Sequence, residues 1–208
     1  MELICADRNG FRRVNNREAD ALRYTFGVSV GSFLVDIINI EYDPTLAKIS
    51  KKGRVRADRE IQMRSDYNPE NLSWLGVFIH EAVHIWQRET ERHRGGRGGE
   101  DYTYGYTQLP TLKLKIEEHA RAVQDWFYVN YGIRYGLIGP GANQMTFERI
   151  QKPILKAMGF DPDHDPPVKM GVDDLLRLVE LHYARLIEEI RDPGHLPKST
   201  RPKSPKFP

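Results

Sequence analysis

Apolar residues recur at intervals of three and four along three long stretches of this chain, the spacing of a helix that buries one face. The first stretch carries Leu72, Leu75, Ile79, Val83 and Trp86. Asn68-Pro69-Glu70 stands before it and reads as a helix start: a capping asparagine, a proline suited to the first turn and an acid that favours the helix dipole. This helix is expected to fray near Arg92. The second stretch opens at Pro110-Thr111, runs through Lys115 to Phe127 and ends at Gly132. The third covers Val172 to Arg191, with Leu175, Leu176, Leu178, Val179, Leu181, Leu186, Ile187 and Ile190 as its apolar positions.

The N-terminal part is less regular. Asn16 is placed to cap a short helix through Arg17 to Tyr24, which Gly27 ends. Phe33 to Ile40 is rich in β-branched residues and predicts a strand. Lys48 to Arg64 alternates loosely around Gly53 and predicts a hairpin, with Ile61-Gln62-Met63 as a short strand. Gly95 to Gly99 predicts a flexible loop, Tyr102 to Tyr106 an extended segment, and Thr146 to Met158 a helix interrupted by Pro153. Residues 193–208 are proline-rich and basic with almost nothing to bury. The pattern predicts an α+β class, mainly helical, with a small N-terminal sheet or hairpin. One domain is expected over residues 1–192, followed by a flexible tail over 193–208.

Composition narrows the partners. Of 208 residues, 39% are hydrophobic and 29% charged, and the formal net charge is +2, so nothing in the balance calls for nucleic acid. The basic residues Arg92, Arg94 and Arg97, with Lys198, Arg201, Lys203 and Lys206, lack interleaved aromatics and read as a solvated loop and tail. No run approaches the ~18 apolar residues of a membrane span, so no membrane is expected either. Met1 to Arg8 has no basic-then-apolar leader, which predicts a product that is cytoplasmic as synthesised. Cys5 is the only cysteine, which excludes an internal disulfide and a cysteine-based zinc site.

The chemistry concentrates at His80-Glu81-Ala82-Val83-His84, an HExxH pentapeptide inside the first long helix. Positions i and i+4 stack on one helix face, so the two imidazoles can grip one metal ion with the glutamate beside it. Zinc hydrolases use this arrangement: two neutral nitrogens, a third protein ligand, an open position and a carboxylate base. A glycine three and a histidine six residues past His84 would mark one subclass, but Gln87 and Thr90 stand there. The second helix offers Glu117 and Glu118, and since neighbouring residues point about 100° apart, only one of them can face the metal. Asp125, farther along that helix, is a candidate to hold the outer N–H of His80 or His84.

Phe78 to Gln87, then Ile116-Glu117-Glu118-His119-Ala120 with Val123 and Asp125-Trp126-Phe127, resemble the zincin domains attached to, or encoded with, type VI secretion spike (VgrG) and Rhs proteins. Glu18 to Gly27 is similar to their opening helix, and the likeness extends over roughly residues 15–130. The resemblance implies a zincin-like fold with an active-site helix and a second ligand helix, Zn2+ as cofactor and Glu117 as third ligand. Glu118-His119 departs from the two glutamines usual there, which leaves Glu118 as the alternative ligand. It also implies a bacterial peptidase exported by a contact-dependent system as an antibacterial effector, with a secretion component or a cognate inhibitor as partner.

The expected activity is therefore hydrolysis of a peptide or protein substrate, with Glu81 as general base beside a zinc ion held by His80, His84 and Glu117. Tyr102, Tyr104, Tyr106, Tyr128, His119 and His182 are all eligible to stabilise the oxyanion. The alternative is a zinc-binding module of a secretion system without turnover, for which Glu81 would have no use.

Overall fold

The computed structural model describes residues 11–49, 52–56, 59–90, 114–137 and 172–196. They form the expected mainly helical α+β architecture. A four-stranded sheet is built from β1 (Phe11–Arg13), β2 (Asn39–Tyr42), β3 (Gly53–Val55) and β4 (Glu60–Met63), in the order β1-β2-β4-β3. β2 and β4 run parallel, with Ile40 opposite Ile61, while β1 and β3 are antiparallel edge strands. Four helices accompany it: α1 (Asn16–Ile37), α2 (Leu72–Glu89), α3 (Ile116–Arg134) and α4 (Val172–Arg191).

The third apolar stretch forms α4 over the span its periodicity predicts. A hairpin forms within Lys48 to Arg64 as β3 and β4, but Gly53 is not at its turn: it opens β3 opposite Met63. The N-terminal region differs. α1 does not stop at Gly27; the chain breaks there, with φ 73° and ψ 166°, and resumes helix to Ile37. Val30, Phe33, Leu34 and Ile38 are fully or almost fully buried, a stripe at helical spacing, and that stripe prevails over the β propensity of the expected strand. Only Asn39 to Tyr42 extend into the sheet. Gly31 permits the two halves of α1 to fold tightly together, since a Cβ there would lie 2.6 Å from the Cα of Arg23.

Both helix starts shift by a short step. Asn15, not Asn16, caps α1, in a reciprocal box with Glu18. Asn71, not Asn68, caps α2 by accepting from the N–H groups of Ser73 and Trp74, while Asn68 accepts from Glu70 in a turn before it. α2 ends at Glu89, slightly before Arg92. The expected elements at 95–99, 102–106 and 146–158, and the start at Pro110, lie outside the described residues.

α2 is the central element. Its apolar face, including Leu75, Phe78, Ile79, Ala82, Val83 and Trp86, is buried in one core with Val123 and Phe127 of α3, Leu22 and Phe26 of α1, and Ile61 and Met63 of the sheet. α4 closes the other side of α1 and α3 through Val179, Tyr183, Leu186 and Ile190. Arg191, at its end, donates to the carbonyls of Tyr24 and Thr25 at 2.7 and 3.0 Å, satisfying groups that the break at Gly27 leaves without helical partners. A short 3₁₀ turn, Pro193–His195, follows, and Leu196 is buried against the core. No helix among the described residues is long and apolar enough to cross a membrane.

The start of α1 is fastened by an ion pair taken wholly out of water. Arg12 of β1 gives both terminal nitrogens to the Glu18 carboxylate at 2.7 Å, and Glu18 has no exposed surface. Breaking such a pair strands the remaining charge, which typically costs about 3–5 kcal/mol. Glu18→Ala is therefore expected to lower the unfolding free energy by about that amount, measured by urea denaturation, because it also removes the capping box.

Candidate metal centre

Helix geometry places His80 and His84 one turn apart on α2, and the crossing of α3 over α2 brings its first turn to them. His80 Nε2 and His84 Nε2 are 3.2 Å apart. Glu117 Oε2 lies 3.3 Å from the first and 3.2 Å from the second. Three donor atoms from two helices thus make a nearly equilateral triangle, and among the described residues these side chains form the group suited to holding a metal ion. Tetrahedral zinc, with ligand bonds of about 2.0–2.1 Å, sets neighbouring donors about 3.3–3.4 Å apart. The triangle fits one face of that tetrahedron and leaves the fourth corner to another ligand.

The donor set also fits a cation by its chemistry. Both imidazole nitrogens and a carboxylate oxygen point inward, so electron-rich atoms crowd together where water is largely excluded: His80 is 7% exposed. Burial opposes the ionisation of Glu117, yet its hydrogen bonds to His80 and His84 outweigh it and hold its carboxyl far below the usual carboxylate range. Burial likewise opposes charge on His84, and the Glu117 hydrogen bond with the nearby Glu81 and Glu117 charges overcomes it, raising the ring above its ordinary value.

Glu81 occupies a different environment. Burial dominates and pushes its carboxyl up, against the attraction of the two histidines. The β3–β4 hairpin covers it. The Cβ that Gly53 lacks would lie 3.3 Å from Glu81 Cγ, 3.2 Å from Val77 Cγ1 and 3.0 Å from Met63 Sδ, so any larger residue would press on α2 and β4 where β3 approaches. The backbone N–H of Val55, on the same strand, favours the charged form of Glu81. Arg59 bridges from the hairpin to Glu89 at 2.7 and 2.9 Å, and Arg88 donates to the carbonyl of Arg56, so the hairpin is fastened to the last turn of α2 as well.

Glu117 and Glu118 divide as their 100° separation requires. Glu117 faces the histidines, whereas Glu118 turns back and accepts from the backbone N–H of Lys115 at 2.8 Å, capping α3. Asp125 is buried on α3 and its Oδ1 lies 3.0 Å from Arg121 Nε. The outer nitrogen of His84 meets another group, Gln87 Oε1, at 3.0 Å. Gln87 is a contact the sequence reading missed, although its position three residues past His84, on the same helix, could have suggested it. Of the oxyanion candidates, His119 is buried behind His84, stacked on Trp86 with ring centroids 5.6 Å apart. Tyr128 flanks Gly76 on α2, His182 stands on α4 beside Tyr183, and Tyr102, Tyr104 and Tyr106 lie outside the described residues.

No family model matches this chain, and no solved structure matches it. Over 135 residues the chain is 26% identical to the type VI secretion system spike protein VgrG2b of Pseudomonas aeruginosa. The shared stretch is 58% of this chain and only 13% of the spike protein.

The two glutamates give opposite expectations. Glu117→Gln should weaken zinc binding by more than about 100-fold, beyond the loss typical of an outer-shell residue. Glu118→Gln should leave zinc stoichiometry intact and, since glutamine still accepts from the Lys115 N–H, cost less than about 1 kcal/mol of stability. Competition with a chromophoric chelator and thermal melts distinguish them. A cation must also displace the proton that His84 holds more tightly than a free imidazole, so zinc binding should release protons and weaken as pH falls, starting above the ordinary imidazole range. Calorimetry in two buffers of different protonation enthalpy counts the protons released.

Proposed function

We propose that this protein is a zinc-dependent peptidase that works with the type VI secretion machinery. The observation that carries the chemical part is the convergence of His80, His84 and Glu117 into a triangle of zinc dimensions beside the carboxylate of Glu81. A purely structural zinc site needs four protein ligands and no base. Among the described residues three ligands and a buried acid stand together, which favours the open coordination of a hydrolase.

A zinc ion bound at this triangle supplies a Lewis acid that acidifies water to near neutrality and polarises a carbonyl. The chain's own residues do the rest. His80, His84 and Glu117 hold the three corners. Glu81, lifted by burial toward the operating pH, accepts a proton as water adds to the carbonyl carbon, then delivers it to the amide nitrogen as the C–N bond breaks. β3 is an edge strand of the described sheet and runs beside Glu81, the position at which an extended peptide would lie along the site. That edge supports a polypeptide substrate over a small ester or amide.

The secretion part rests on the similarity to the spike protein, which covers too little of that relative to transfer its whole activity. On this reading the chain is a bacterial effector carried across by contact-dependent export and matched by a cognate inhibitor in its producer. The same similarity would suit a zinc-binding module without turnover, and one variant separates the two. Glu81→Gln should reduce cleavage of a denatured protein or peptide library by at least about 100-fold, the usual scale of general-base loss, while zinc stays bound at wild-type stoichiometry. Zinc-loaded wild-type protein that cleaves no peptide would establish the module instead.

A further inference from the structure

We infer that Gln87 is a positioning residue for the metal centre, which fixes the tautomer of His84 and sets the first turn of α3 against α2. The inference rests on the proposal that His80, His84 and Glu117 hold zinc, and it concerns how that site is preorganised.

Gln87 is 2% exposed, and its amide has three partners. Oε1 lies 3.0 Å from His84 Nδ1, and Nε2 lies 3.1 Å from both the carbonyl oxygen of Ile116 and His119 Nδ1. The Ile116 carbonyl can only accept, so the NH₂ end of the amide must face it. A flipped amide would set two carbonyl oxygens against each other. With that end fixed, Oε1 faces His84 and can only accept, so Nδ1 of His84 carries a proton, and Nε2, which faces the Glu117 carboxylate, is the nitrogen left for a cation to take over. The second amide hydrogen goes to His119 Nδ1, which assigns His119 as its acceptor, and Trp86 stacks on that ring at an interplanar angle of 12°.

Two consequences reach the metal. A neutral imidazole can bind through Nε2 only when its proton is on Nδ1, and in water the ring favours the opposite form. Gln87 therefore favours the tautomer that binds a metal through Nε2, and keeps it once the cation has displaced the proton shared with Glu117. Its bond to Ile116, the residue before Glu117, also ties the histidine helix to the carboxylate helix at the point where the third ligand departs. One neutral side chain orients one ligand and sets the reach of another. A glutamine does this without adding charge, whereas a carboxylate there would crowd the carbonyl of Ile116.

The test uses the whole chain labelled with ¹⁵N-histidine and loaded with zinc. In the wild type, the His84 Nδ1–H should give a hydrogen-bonded signal that exchanges slowly with water. Gln87→Leu, of similar size, should lose that protection and weaken zinc binding by about 10–100-fold, the range typical for an outer partner of a ligand histidine. Gln87→Glu, which keeps an acceptor for His84, should retain the protected signal and recover part of the affinity. A Gln87→Leu protein that binds zinc within about threefold of wild type, with the Nδ1–H signal unchanged, overturns the inference. Should Gln87→Leu not fold, a wild-type His84 Nδ1–H that exchanges freely overturns it equally. A wild-type protein that binds no zinc refutes the zinc site, and a protected His84 Nδ1–H in that protein leaves the role of Gln87 in orienting His84 standing.

Discussion

The site depends on one constraint: α2 and α3 must cross closely enough to press two imidazole nitrogens and a carboxylate oxygen into a triangle 3.2–3.3 Å on a side. Three electron-rich atoms do not approach like this by mutual attraction. Their desolvation is unfavourable until a proton or cation lies between them. The force that holds them comes from elsewhere, from the buried apolar faces of the two helices, where Ile79, Val83 and Trp86 share a core with Val123 and Phe127. Apolar packing imposes the geometry, and the polar groups gain from it only when a positive charge arrives.

The same packing separates two carboxylates electrically. Glu117 sits against two imidazoles and is kept ionised well below the ordinary range, as an anionic ligand must be. Glu81 stands under the β3–β4 hairpin, where burial is the dominant influence and its proton is held more tightly. Two acids within one small site are thereby driven in opposite directions, the condition under which one binds and the other exchanges protons. The missing side chain at Gly53 is what lets the hairpin come down onto Glu81.

Around this centre the N-terminal region acts as a brace. Arg12 and Glu18 fasten β1 to α1, and Arg191 reaches back from the end of α4 to the carbonyls left open by the break at Gly27. The first pair is local, whereas the Arg191 bonds join residues more than 160 positions apart. They hold α1, which buries Leu22 and Phe26 in the same core as α2. The loosest part of the sequence pattern thus becomes a fixed wall behind α2.

The sequence alone determined the three long helices, because intrahelical hydrogen bonding forces a period of 3.6 residues and the apolar positions display it openly. It also determined that His80 and His84 share a face with Glu81 beside them, and that only one of Glu117 and Glu118 could join them, since all of these follow from the rotation of one helix about its own axis. Tertiary structure decided what that local rule leaves open. The angle at which α3 meets α2 selected Glu117 and released Glu118 to cap its helix. Burial of Val30, Phe33 and Leu34 made helix from residues whose propensity reads as strand. The approach of His119 and the Ile116 carbonyl turned Gln87, an ordinary helix residue by pattern, into the partner of His84. Each of these choices is a contact between segments far apart in the chain, and no periodicity within one segment encodes which partner it will meet.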